Sequence, residues 1–243
     1  MRILLLVTGF LWAWSGFLGV DFSKPTNTAS NYSLAEKSLK ITKEGFNKEN
    51  LLYNYQLNIS YPVVRIDEPD IDYELNMAIQ EIMSGAISDF QSKIYTEKAN
   101  EKEGYSYLTL DYDVCRQLET VVSVRFVKIT HFVGIDHPSL LYLTLNYDLE
   151  KKDFIFLKDI FKEGIDYKTI LMDKINSNPD YCKIKKAKFL GNFCIEDEHL
   201  VLTLNNSNGN REDCPESFKI KWSDLSDILD ENAIGAHLNT HTK

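Results

Sequence analysis

Residues 51–90 read LLYNYQLNISYPVVRIDEPDIDYELNMAIQEIMSGAISDF, and two hydrophobic periods meet inside them. From Leu51 to Arg65, the residues Tyr53, Tyr55, Leu57, Ile59 and Tyr61 take alternate positions, the spacing of a half-buried strand. Pro62 stands near the end of that run, where a missing N–H is tolerated. Glu68-Pro69-Asp70 then opens a helix, with acidic charge at the positive end of its dipole. Ile71, Leu75, Ala78, Ile79, Ile82, Ala86 and Phe90 recur three and four residues apart, which predicts an amphipathic helix of about five turns or more. The charged stretch Lys93 to Gly104 ends it.

Downstream, three strand signals follow: Tyr105–Cys115, Thr120–His131 and Ser139–Leu149. The second carries Val122, Val124, Phe126 and Val127, and the third alternates Leu141, Leu143, Leu145 and Tyr147 against Tyr142, Thr144 and Asn146. Their short links favour antiparallel neighbours. A helical turn at Phe156–Phe161 stops at Gly164, and a helix is expected over Tyr167–Ser177 before Pro179. Strands are expected again at Phe189–Ile195, Leu200–Leu204 and Phe218–Trp222, then a closing turn at Ser223–Leu229. A strand, a long helix, three strands, helices and three more strands imply an α+β fold: an antiparallel sheet packed against a long helix, with a second, smaller α/β half.

Upstream of the deciding stretch the character changes. Arg2 precedes the apolar run Ile3–Val7, and apolar or small residues continue to Val20, the pattern of a signal peptide or, uncleaved, an N-terminal anchor over residues 1–20. Residues 21–50 are rich in Ser, Thr, Asn and Lys and read as a flexible leader. An N-terminal half then spans 51–135, a C-terminal half 136–230, and a tail 231–243.

Four cysteines, Cys115, Cys182, Cys194 and Cys214, suit disulfides in an exported chain and allow three pairings; Cys182–Cys194, nearest in sequence, is favoured. No C-x-x-C pair supports a metal site, and no cofactor is expected. Hydrophobic residues make up 44% of the 243, enough for a sizeable core. The net charge of -9 repels nucleic acid and anionic lipid and attracts a basic partner; membrane association is expected only through an uncleaved N-terminus.

Chemistry-bearing motifs are sparse. There is no nucleophile elbow, phosphate loop, dinucleotide glycine pattern or H-E-x-x-H, so no catalytic residues are assigned. His131 and His137 flank Gly134, and Asp136 adjoins His137. The 13 Tyr and 13 Phe supply rigid contact area as well as strand packing.

Four segments in order carry a resemblance: Val121–Phe126; Gly134-Ile135-Asp136-His137-Pro138; Leu145-Asn146-Tyr147-Asp148-Leu149; and Leu157-Lys158-Asp159-Ile160-Phe161. Together with Tyr61–Val64 and Phe218–Leu225, they resemble the extracellular domain of the anti-sigma factor RsiV, a domain also appended to the peptidoglycan deacetylase PdaC, over roughly residues 51–230. The family's Gly-Gly-Ala-His turn here reads Val133-Gly134-Ile135-Asp136-His137. The resemblance implies an exported, soluble envelope domain, periplasmic or secreted, that binds rather than catalyses. Its candidate ligands are lysozyme, whose basic surface suits the charge of -9, or peptidoglycan. The expected contact surface is the loop from His131 to Ser139 and the strand after it. Gly134 permits the sharp turn, Pro138 stiffens its exit, and Asp136, His137 and Tyr142 offer contacts. Two rivals remain: a cell-wall glycan-active enzyme, which requires a pocket where His137 meets a carboxylate, and a structural envelope protein, which requires a large apolar patch.

Overall fold

A computed structural model of the chain describes residues 39–96, 104–117, 120–179, 183–184, 190, 192–203 and 217–230. The expected signal segment, Cys182 and Cys214 lie outside them. No helix among the described residues is long and apolar enough to cross a membrane.

The fold is α+β. Strands β1 (Lys40–Asn50), β2 (Tyr55–Arg65), β3 (Ser106–Gln117), β4 (Val121–His131), β5 (Ser139–Asp148) and β6 (Asp153–Phe154) form one sheet in chain order. Helix α1 (Pro69–Thr96) packs on one face. Its buried residues Ile71, Leu75, Ile79, Ala86, Phe90 and Ile94 step mostly by four, so one stripe runs the length of the helix. It ends at Thr96, a few residues into the charged stretch Lys93 to Gly104, because Ile94 is still buried at 1% exposure.

The sheet is mixed rather than wholly antiparallel. β2 and β3 run parallel, in register from Tyr55 opposite Ser106 to Ile59 opposite Leu110. The physical reason is α1 itself: a long helix carries the chain back to the starting end of β2 before β3 begins. β3–β4 and β4–β5 are antiparallel, as their short links predict.

Past Ile59, β3 no longer covers β2, and Asn76 of α1 takes the place of a strand. Its Oδ1 accepts from Val64 N–H at 3.0 Å and its Nδ2 donates to Val64 C=O at 2.8 Å. Pro62, with no N–H to satisfy, falls in the same uncovered stretch.

Residues 40–50, read from sequence as leader, are instead β1, paired with β2 from Lys40 opposite Arg65 to Asn50 opposite Tyr55. An edge strand lying mostly in solvent has no apolar face to alternate, and its lysines are what protects such an edge. Gly45 is required there, because a Cβ would collide with the Ile59 carbonyl oxygen.

The other face of the sheet carries the second layer. β7 (Asn192–Ile195), β8 (His199–Thr203) and β9 (Ser217–Lys221) form a three-stranded antiparallel sheet, joined in one core by α2 (Tyr167–Ser177) and by 3-10 turns at Leu157–Ile160 and Trp222–Leu225. β4 serves both cores: Val122, Val124 and Phe126 face α1, while Val121 joins the second cluster. The boundary expected between residues 135 and 136 falls in the β4–β5 hairpin, so the larger sheet spans it.

Candidate ligand-binding groove

β6 is two residues long and covers β5 only at Tyr147 and Asp148. The rest of that β5 edge forms the floor of a groove of about 570 Å³ between α1 and the segment Phe154–Leu157. Ala78, Ile82 and Ala86 of α1, Leu141, Leu143 and Leu145 of β5, and Phe154, Phe156 and Phe193 make its walls predominantly apolar. Phe156, 58% exposed, stands at the rim. A mainly apolar cleft with a few placed polar groups is the usual form of a ligand site.

The polar groups have defined origins. Ile155 N–H donates to the Asn146 carbonyl at 2.8 Å, and Asn192 Nδ2 donates to the Tyr142 carbonyl at 2.9 Å. Main-chain direction alternates along an antiparallel strand, so the N–H and C=O of Thr144, midway between, also face outward into the groove. At one end, Lys128 Nζ lies 3.4 Å from Asp89 Oδ2, a cation from β4 meeting a carboxylate from α1. Opposite the floor, Gly85 has open space where a Cβ would project.

Beneath the groove, β7 is fastened to the sheet face by buried amides and hydroxyls. Asn146 Nδ2 donates to Phe193 C=O at 2.9 Å, and Asn146 Oδ1 accepts from Ser123 Oγ at 2.6 Å. Ser123 Oγ in turn accepts from Ile195 N–H at 3.0 Å, and Thr144 Oγ1 accepts from Phe193 N–H at 3.3 Å. On the helix side, Tyr147 donates its O–H to Glu74 Oε2 at 2.7 Å; burial, then that carboxylate, pushes the phenol pKa well above its usual value.

The residues expected from sequence to form the contact surface are divided. Gly134, Asp136, His137 and Pro138 are together and exposed in the β4–β5 hairpin, with Gly134 at φ +84° and Ile135 N–H closing the turn onto Phe132 C=O. Tyr142 is not with them. It is buried on β5, with the Arg125 guanidinium 5.5 Å over its ring. None of the five lines the groove. His131 stacks on Tyr107 at 5.2 Å. Cys194 is buried with Cys115 against it, and Cys182, its expected partner, lies outside the described residues.

The groove residues Thr144, Asn192, Lys128 and Asp89 carry no motif of their own, and Asn146 falls within the Leu145–Leu149 segment that carries the resemblance. The one signal for them is Asn146, a polar residue flanked by Leu145 and Tyr147 in a strand, where burial demands that its amide be bonded.

Two crystal structures of DUF3298 family proteins share this architecture. One, from Bacteroides fragilis NCTC 9343, superposes with a TM-score of 0.60 at 16% identity, covering 84% of this chain and 98% of that one. The other, from Pseudomonas aeruginosa PAO1, gives 0.53 at 14% identity, covering 80% and 96%. The fold is that of DUF3298 proteins. In sequence, the chain is 26% identical over 204 residues to the peptidoglycan-N-acetylmuramic acid deacetylase PdaC of Bacillus subtilis strain 168. The match takes in 75% of this chain and 40% of PdaC, so the chain spans less than half of that relative's length. No family model matches the chain.

Proposed function

We propose that this chain is an exported, non-catalytic binding domain of the bacterial envelope, and that its groove holds peptidoglycan. The observation carrying this reading is the groove: an apolar cleft with an exposed Phe156 at its rim and outward-facing main-chain groups at Thr144 on its floor. A glycan strand of the wall presents sugar faces and acetyl methyls to apolar walls, and amides and hydroxyls to such polar groups. The likeness to a protein named for its action on peptidoglycan supports the choice of ligand. The catalytic alternative required a pocket at His137, and His137 is not among the groove's lining residues.

Co-sedimentation with insoluble peptidoglycan tests the reading. The Gly85→Trp chain, with a ring filling the open space beside the helix, is expected to lose at least about 10-fold in affinity, the scale of a blocked anchoring contact. Its melting temperature is expected to hold, because a helix-interior glycine is a poor helix former that the substitution removes. Undiminished sedimentation of a folded Gly85→Trp chain would overturn the assignment of the groove.

The charge of -9 favours a second reading, capture of a basic lysozyme. Calorimetric titration with a c-type lysozyme separates the two. Micromolar or tighter binding that weakens as salt rises supports capture, and no heat at either salt removes it.

A further inference from the structure

β3 carries a bulge. Val114 pairs with Val124, but the next pair is Arg116 with Ser123, so Cys115 is the extra residue. A bulge re-aims side chains, and this one turns two consecutive residues toward β7. Arg116 reaches the Glu196 carbonyl at 3.3 Å, and the Cys115 thiol lies against that of Cys194. The crossing of β7 over the sheet is pinned next to the pair, since Ile195 N–H bonds Ser123 on β4 while the Glu196 carbonyl accepts from Arg116 on β3. Cys194 is completely buried, and Cys115 is partly exposed.

We propose that Cys115 and Cys194 are a disulfide-forming pair that fastens the three-stranded sheet to the face of the six-stranded one. The chemistry balances with a disulfide donor as oxidant. Cys115, the accessible thiol, gives up its proton and attacks one donor sulfur, expelling the other as a thiolate. Cys194 then gives up its proton and attacks the Cys115 sulfur, releasing the second donor thiolate. Two cysteines lose two protons and two electrons, and the donor is reduced to two thiols. The order of attack follows the environment. The neighbouring Cys194 thiol and the charge of nearby Arg125 lower the Cys115 pKa from its ordinary value, whereas the neighbouring Cys115 thiol and then burial push that of Cys194 up. An oxidising compartment supplies such donors, but the pairing rests on the geometry and not on what the groove binds. The favoured sequence pairing of Cys182 with Cys194 gives way, in this proposal, to a partner 79 positions from Cys194.

The test uses the full chain. After treatment with oxidised glutathione, denaturation, alkylation of remaining thiols and digestion, mass spectrometry is expected to recover the peptides of Cys115 and Cys194 joined to each other. Recovery of either cysteine alkylated, or of Cys194 joined to Cys182 or Cys214, would overturn the proposal. A second measurement isolates the pair in the Cys182→Ser/Cys214→Ser chain. Its oxidised form is expected to melt about 10 °C above the form held in a phosphine reductant, as the closure of a loop of this length implies. Adding Cys115→Ser is expected to abolish the difference. Equal melting temperatures in the two redox states count against the cross-link. If the serine variants do not fold, the peptide map of the natural chain decides alone.

Discussion

Replacing Asn146 by Leu is expected to lower the unfolding free energy by about 3 kcal/mol, because it leaves two buried polar groups without their partners. Asn146 sits at 4% exposure between the layers, its Nδ2 donating to Phe193 C=O and its Oδ1 accepting from Ser123 Oγ. Leucine has the same number of side-chain heavy atoms and the same branching, so the loss is not a cavity; it is the desolvation of a carbonyl and a hydroxyl that water cannot reach. Urea unfolding reads the change directly. A double-mutant cycle with Ser123→Ala is expected to show strong coupling, since the two side chains share one hydrogen bond. A loss under about 1 kcal/mol would mean that the Asn146 amide contributes little to holding β7. Because Asn146 also lines the groove, weakened sedimentation with peptidoglycan is expected to accompany the loss.

Phe90→Ala is expected to cost about 4 kcal/mol, in the range for deleting a large aromatic side chain from a packed core. Phe90 is 1% exposed on the buried stripe of α1, with the Tyr55 ring edge-on at 5.7 Å and the Phe132 ring at 5.4 Å. Helix, β2 and the start of the β4–β5 loop meet on this one ring, so no single element is free to move in and fill the space. Thermal unfolding is expected to fall by roughly 10 °C or more for a domain of this size. A fall of only a few degrees would show that α1 settles onto the sheet without it.

Much of this architecture was legible because its elements carry strong periods. The stripe from Ile71 to Phe90 named α1, the alternation from Leu141 to Tyr147 named β5, and α2 runs over Tyr167–Ser177 as read. What was not legible depended on neighbours. β1 buries too little to show an alternation, so its hydrogen bonds to β2 leave no trace in residue type. The parallel pairing of β2 with β3 follows from where α1 delivers the chain. The groove exists because β6 stops after two residues, and the meeting of Cys115 with Cys194 depends on a bulge no motif announces. Tyr142 was grouped with the hairpin from its place in the chain, yet its side chain points to the β7 face and the loop does not.

The larger sheet is laid down in the order of its chain, β1 through β6, with no strand inserted between two earlier ones. In N-to-C order each strand of that sheet finds its sheet neighbour already present, and no early strand waits unpaired for a distant one. β7 to β9 come last and close over a finished surface. The layer that comes last in chain order is therefore the one that brings Cys194 onto Cys115.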